Sequence, residues 1–509
     1  MTVPILTRRS VMSRLAAMGL AAPLMLRSQS ASAATVVRHD VDSPEGKAML
    51  AIYADAVGAM KRRAKGDPRG WLFQWYVHAI PDDRTKTAEI RRIYKNPASA
   101  RRALALATWS TCKSHNGERE DYFLPWHRMF VLYFEDIIRA VSGRPDFTLP
   151  YWDYTDLAKR VLPIEFRRAN SAKWKSLYRA SRNPGVNAGQ RIDTLPGAND
   201  INLDALRSSS YSDNGSDAGF CSNLDQNPHG ALHVDIGNQV GMGQVPWAAN
   251  DPIFWIHHCN VDRLWASWTR AGGGAPTDAA FLNRQFVFAD GLGHSVSRTI
   301  SEVLALEPLN YAYASYVLRP PGSPPFPAAR VAGAAPMLGA APPAVHAASS
   351  QAGVALGATP AKVPLTLQPF PSLGASPNET FSVQRDTLPP EVAVHLRLEN
   401  VTASAQPATS YDVYLDPPSG QAPTRADASF VGSLNFFAVV RHAGHDQADM
   451  AAGEEMGAPR NFSFDVTEVV RKLKAANRLS DVPSVVLAPN SAPVSGAAPR
   501  IGRIALVSG

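Results

Sequence analysis

The sequence predicts a mainly α body with long loops, followed by a smaller C-terminal β-sandwich. Three observations point to this. Apolar residues recur at helical spacing between about Val36 and Leu318; Ala, Pro, Gly and Ser dominate from about Arg319 to Pro364; and short alternating apolar segments run from Leu365 to the end. The chain has 509 residues, too many for one ordinary domain, and 45% hydrophobic against 19% charged residues leaves ample material for a core. The boundaries that follow are a leader over 1–33, a helical domain over 34–318, a linker over 319–364 and the sandwich over 365–509.

The leader is read from Thr7-Arg8-Arg9-Ser10-Val11-Met12, an apolar stretch from Leu15 to Leu26, and the small-x-small site Ala31-Ser32-Ala33. This pattern predicts a signal peptide, and the paired arginines predict the twin-arginine route to the periplasm or the medium. That route carries folded proteins, which suits a cofactor loaded before export. No later apolar run is long enough to span a bilayer. The formal charge of +7 includes Arg8, Arg9, Arg14 and Arg27 of the leader, which holds no acid, so the remainder carries +3. Without a dense basic cluster that balance gives no ground for a nucleic-acid partner. Cys112, Cys221 and Cys259 are the three cysteines, too few for a disulfide scaffold. A Cys221–Cys259 bridge is left open.

Among the helical segments, Ala48 to Lys65 is amphipathic, and Trp126 to Val141 carries apolar residues at helical spacing with Pro125 at its start. Asp251-Pro252 pairs an N-cap residue with proline and opens a helix to about Thr269, which stops before Gly272-Gly273-Gly274. The stretch Ser181 to Gln226 reads as loops. Residues 319–364 have the composition of a proline-stiffened linker. Beyond it, Val392–Leu398, Ser410–Leu415, Ser433–Val440, Ser484–Leu487 and Arg503–Val507 read as strands, with one short helix between Phe464 and Lys474.

The chain has 13 histidines, and seven of them lie between His78 and His258. His78 ends Trp75-Tyr76-Val77-His78, His115 closes Cys112-Lys113-Ser114-His115, and His127 stands in Phe123-Leu124-Pro125-Trp126-His127-Arg128. A second group opens with His229 and His233, whose four-residue gap puts both imidazoles on one helix face, as two ligands of one metal require. It closes with His257-His258 in the helix that starts at Asp251. Neutral imidazoles in two groups suit copper, zinc, iron or nickel. The lack of cysteine or carboxylate at ligand spacing argues against a structural zinc site and a facial-triad iron site.

These motifs resemble those of the tyrosinase and polyphenol oxidase family, the type-3 copper proteins. Tyr122-Phe-Leu-Pro-Trp-His-Arg128 looks like the family's first copper signature, and Asp251-Pro-Ile-Phe-Trp-Ile-His-His-Cys-Asn-Val-Asp-Arg-Leu-Trp265 looks like its second. Leu149-Pro-Tyr-Trp-Asp153 matches a further family segment. Tyr411-Asp-Val-Tyr-Leu415, Phe430-Val-Gly-Ser433 and Phe464-Asp465-Val466 resemble the C-terminal domain of plant-type polyphenol oxidases. The resemblance implies a four-helix-bundle core holding two copper ions, one on His78, His115 and His127 and the other on His229, His233 and His258. It makes His257 a neighbour of the ligands rather than a ligand. Phe254 is expected to pack against the site, and Asp262 to orient an imidazole or hold Arg263. Some relatives carry a thioether between a cysteine and the second histidine of the first site, here Cys112 and His115.

The implied activity is oxidation of o-diphenols to o-quinones, with O2 reduced to water and phenolic small molecules as partners. In relatives that hydroxylate monophenols well, an asparagine after the first histidine of the second site, with an upstream glutamate, is thought to hold a water that deprotonates the phenol. Here Gly230 follows His229, and the nearest upstream carboxylate is Asp225, a candidate base that could equally cap its helix. A phenol ionises near pH 10, so a missing base favours diphenols. An o-aminophenol oxidase, a hemocyanin-like O2-binding protein and a di-zinc hydrolase are the competing readings. The C-terminal domain is expected to cover the site mouth, with Phe436 or Phe437 as the side chain that could reach in.

Overall fold

A computed structural model describes residues 35–81, 83–113, 120–213, 218–326, 344–349, 353–367, 392–440 and 459–508. The expected signal peptide and His115 lie outside the described residues. Strand β1 (Val36–Arg38) is followed by helices α1 (Pro44–Arg62), α2 (Trp71–His78), α3 (Lys86–Ile93), α4 (Ala100–Thr108) and α5 (Phe123–Ser142). After a region of short turns come α6 (Phe220–Leu224), a kinked segment Asp225–Gly230, α7 (Ala231–Ile236), α8 (Val245–Ala248), α9 (Ile253–Arg270) and α10 (Ala279–Leu282). The hairpin β2 (Gln285–Ala289) and β3 (Ser295–Thr299) follows, then β4 (Tyr311–Tyr313), which pairs in parallel with β1.

Local chemistry starts these helices. α1 begins before the expected Ala48 because Ser43 caps it, its hydroxyl accepting the Gly46 N–H at 3.0 Å with Pro44 in the first turn. α5 ends on Gly143, whose φ of 67° is the left-handed conformation a glycine adopts without strain. Asp251 accepts the Ile253 N–H at 3.2 Å, and its carboxylate is also gripped by Arg182 at 2.8 and 2.7 Å. α5 and α9 are buried along most of their length and pack on one another. Phe134 of α5 stacks on Trp255 of α9 with centroids 3.5 Å apart; burying an aromatic of this size contributes about 2 kcal/mol.

A buried polar knot ties this helix pair to β1 and β4. Asp262 of α9 accepts from Arg128 of α5, from Arg38 of β1 at 3.2 Å, and from the hydroxyls of Tyr311 and Tyr313 of β4, each at 2.6 Å. Arg38 also donates to Glu135 of α5 at 3.0 Å. Among the described residues Asp262 therefore bonds neither an imidazole nor Arg263, which corrects the expectation for it. Arg263 pairs with Asp153 at 2.9 Å instead. The reason is the helical period: Asp262 lies on the face of α9 that meets α5 and β4.

The C-terminal region is built from β5 (Ala344–Ala348), β6 (Val354–Ala355), β7 (Ala361–Pro364), β8 (Thr366–Leu367), β9 (Val394–Val401), β10 (Tyr411–Leu415), β11 (Phe430–Leu434), β12 (Arg460–Asp465), α11 (Thr467–Ala475), β13 (Ser484–Pro489), β14 (Arg500–Ile501) and β15 (Arg503–Ser508). Two larger sheets form, with orders β11-β10-β13-β7 and β12-β9-β15-β5-β8, and β14 pairs with β6 in a third. Val413, Leu415, Val485 and Leu487 of the first share one buried cluster with Leu396, Leu398, Ile504 and Leu506 of the second. Two expectations are corrected here. Residues 344–349 and 353–364 are not linker: β5, β6 and β7 pair with β15, β14 and β13, because Val363 has an apolar face to bury despite the small residues around it. The strand expected over Ser433–Val440 ends at Leu434; Asn435 then accepts the Phe437 N–H on its side-chain oxygen at 3.1 Å and turns the chain.

Candidate metal centre

Five elements deliver histidines to one buried place. α2 ends on His78, α5 carries His127, the kinked segment and α7 carry His229 and His233, and α9 carries His257 and His258. None of these residues is more than 3% exposed. Potential ligand atoms of His229, His233, His257 and His258 lie within 4.8 Å of one another, and so do those of His78, Cys112 and His127. The two groups adjoin: His127 and His258 stack with centroids 4.5 Å apart and planes 13° from parallel, and His127 is 6.2 Å from His229.

The hydrogen bonds select which nitrogen faces the centre. Nδ1 of His78 lies 3.0 Å from the Val245 carbonyl, that of His127 2.8 Å from Phe123, that of His229 3.1 Å from Asp225, and that of His233 2.8 Å from Met242. A carbonyl only accepts, so each Nδ1 carries the proton and each Nε2 keeps its lone pair. The Nε2 atoms of His233 and His258 are 3.3 Å apart. Nδ1 of His258 and both ring nitrogens of His257 have no hydrogen-bond partner among the described residues. Such orphaned, buried nitrogens call for a partner.

Five of the rings are held neutral. Burial pushes His78 down to about 3, with the nearby His229 adding to the effect. Burial, and then repulsion from neighbouring imidazoles, also holds His127, His233, His257 and His258 well below the usual histidine range. Converging neutral imidazoles with inward lone pairs are a donor set that fits divalent or monovalent copper.

The other expected site residues fall as follows. Phe254 packs its ring 4.1 Å from His258 and 4.9 Å from His78. His257 stands within the second cluster, its ring 5.4 Å from both His229 and Tyr154. Cys112 Sγ lies 3.6 Å from Nε2 of His127, a neighbour that spacing in the sequence did not suggest. Cys221 and Cys259 form no disulfide with one another, which closes the bridge left open: each sulfur donates elsewhere, Cys221 to the Asp121 carbonyl and Cys259 to that of Leu149.

The C-terminal region reaches into this place. Phe436 stays in its own core, but Phe437 lies over His233, ring centroids 4.2 Å apart and planes 14° from parallel, and 5.4 Å from His229. Asn435 donates to the Gln226 carbonyl at 3.0 Å. A Cβ on Gly230 would stand 3.1 Å from the Asn435 side-chain oxygen and 3.4 Å from Phe437, so a glycine after His229 permits this approach. Asp225 puts one carboxylate oxygen 2.8 Å from His229 Nδ1 and the other 2.8 Å from Arg460 of β12. Sequence reasoning missed Arg460 and Asn435. They lie over two hundred residues from His229, and no motif or period marks them.

The family described as the common central domain of tyrosinase matches residues 68–192 and 169–271, and a domain of unknown function matches 344–509. The chain is 28% identical to a tyrosinase of Hahella sp. (strain CCB-MM4) over 90% of its own length and 96% of that relative. It is 31% identical to a tyrosinase of Streptomyces antibioticus over 31% of its own length and 70% of that relative. Among solved structures it is similar to latent apple tyrosinase, with a TM-score of 0.61 and 20% identity over 94% of this chain and 98% of that one. With a buried imidazole set that fits copper and these likenesses together, the chain belongs to the tyrosinase and polyphenol oxidase family of oxidoreductases, whose centre is a dinuclear copper site.

Proposed function

We propose that this protein oxidises o-diphenols to o-quinones, with O2 reduced to water. The observation that carries the reading is the set of buried imidazoles whose Nδ1 protons are tied to backbone carbonyls, leaving the Nε2 lone pairs for metal. His78, His127 and the loop residue His115 would hold one copper, and His229, His233 and His258 the other. His258 suits the junction between them because it stacks on His127 while its Nε2 meets that of His233. His257, with no partner for either nitrogen, stays behind His229. Two copper ions held there supply O2 binding and two-electron acceptance.

The chain's own residues do the rest. Phe254 packs on His258 and His78, fixes their ring planes and excludes water. A flat ring fits over His233, where Phe437 now lies, so a phenol binds by taking that position. Asp225 is paired with Arg460 and Gly230 offers no side chain, so neither acts as a base for a monophenol. A phenol with pKa near 10 then yields little phenolate at neutral pH, which favours diphenols. The helical part is read as a four-helix bundle and the C-terminal part as a β-sandwich that keeps the enzyme latent. The leader over 1–33 is read as a twin-arginine signal.

A copper-loaded assay with tyrosine, dopa, catechol and o-aminophenol in parallel, before and after cutting between residues 329 and 343, tests this. Fast turnover of dopa and catechol, slow turnover of tyrosine, and a rise after release of the C-terminal part are expected. Reversible O2 binding without catechol turnover contradicts the oxidase reading, and unchanged activity after clean release of the C-terminal part contradicts latency.

A further inference from the structure

We propose that Arg460 of the C-terminal region is a positioning residue of the metal centre, acting through Asp225 on the His229 ring. This rests on the reading of His229 as a copper ligand. The arrangement is a relay of direct contacts. Arg460 donates from one terminal nitrogen to an Asp225 carboxylate oxygen at 2.8 Å, the backbone carbonyl of the same Asp225 lies 3.1 Å from His229 Nδ1 and accepts its proton, and the other carboxylate oxygen stands 2.8 Å from that nitrogen. The side chains of Arg460 and Asp225 are 3% and 0% exposed, so the ion pair is dry and its geometry is set by packing. The second terminal nitrogen of Arg460 donates to the Phe437 carbonyl at 3.1 Å.

One guanidinium therefore grips both the residue lying over His233 and the carboxylate that steadies the ring of a candidate ligand. Its place is fixed by β12, where Arg460 pairs with Val401 and a bulge follows before Phe462. Asp225 sits where the chain kinks, with Asn227 extended between two helical stretches and Pro228 next to His229. A ligand on a kinked segment needs outside support to keep its ring aimed, and Arg460 supplies it from the other half of the chain. The C-terminal region is thus more than a cover: part of the support of His229 leaves with it.

The test is cupric-ion affinity of the metal-free, full-length chain, measured by competition with a chelator. Four proteins are compared: wild type, Arg460→Met, Arg460→Lys and Phe437→Ala. Wild type is expected to take two equivalents. Arg460→Met is expected to bind one of them about 10- to 100-fold more weakly and the other unchanged, the loss typical of a lost partner behind a ligand. Arg460→Lys keeps the cation and should stay within a few fold of wild type, and Phe437→Ala removes the cover alone and should bind both equivalents normally. Should Arg460→Met not fold, the double variant Asp225→Asn/Arg460→Met carries the test: its neutral amide needs no cation and the backbone carbonyl at 225 still accepts from His229, so near-normal binding is expected and loss of one equivalent overturns the proposal. Unchanged affinity in Arg460→Met, or equal losses in Arg460→Met and Arg460→Lys, also overturns it while leaving the copper reading intact. A wild type that binds no copper overturns both.

Discussion

Phe437 of the C-terminal region stacks on His233 of α7 at 4.2 Å, nearly parallel, although the two residues are 204 positions apart. A side chain from one half of the chain thus occupies the face where a planar substrate is proposed to bind in the other. Phe437→Ala is expected to raise catechol turnover of the uncut, copper-loaded chain about tenfold, as when a closed state leaves the site open a tenth of the time or less. Steady-state assay of the two proteins checks this, and an unchanged rate contradicts it. The same change costs about 3 kcal/mol in urea unfolding, since Phe437 is 2% exposed.

Removing a ligand has a sharper signature. His233→Ala or His258→Ala is expected to leave the chain folded with one copper in place of two and without catechol turnover. Metal analysis and assay of the purified variants decide it; two coppers in either variant would remove that residue from the ligand set.

Asp262 is the anchor between α5, α9, β1 and β4. Burial alone would push its carboxyl up, but Arg128, Arg38 and the two tyrosine hydroxyls hold it below the usual carboxylate range. Asp262→Asn takes the counter-charge from the buried Arg128 and leaves Arg38 with Glu135 alone, and should cost about 3–5 kcal/mol. Chemical denaturation of the metal-free chain measures this, and a loss under about 1 kcal/mol would show the knot to be dispensable.

Acid should unfold the metal-free chain early. His78 is held near 3 in the folded state against an ordinary 6.5, by burial first. Below pH 6.5 the unfolded chain takes up a proton that the folded chain refuses, so stability complete above 6.5 is lost as the pH falls toward 3. His78 contributes a slope of roughly 1.4 kcal/mol per pH unit in that window. His127, His233, His257 and His258 are lowered in the same direction. The melting temperature is expected to fall steeply between pH 7 and 5 and to fall less with copper bound, which stabilises the neutral rings. A flat profile over that range in the metal-free chain contradicts the account.

The helical half and its histidines were legible because both are local. The four-residue step from His229 to His233, the motif around His127 and the His257-His258 pair each lie on one element, and helical periodicity is written over a dozen residues. What could not be read was long-range. Asp262 looked like a partner for its neighbour Arg263, yet Arg38 and Tyr313, far away in sequence, claim it. The Ala-rich run at 344–348 looks like linker by composition, and only pairing with β15 makes it a strand. Phe436 and Phe437 both read as strand residues that could reach the site, and only the turn at Asn435 decides for Phe437. No local pattern encodes Arg460 as the partner of Asp225.

The most direct test of the central claim is the number of copper ions bound per full-length chain after loading and removal of excess metal. The account predicts two per chain, held by the imidazoles of His78, His127, His229, His233 and His258 together with His115. One copper per chain, or none, would contradict it.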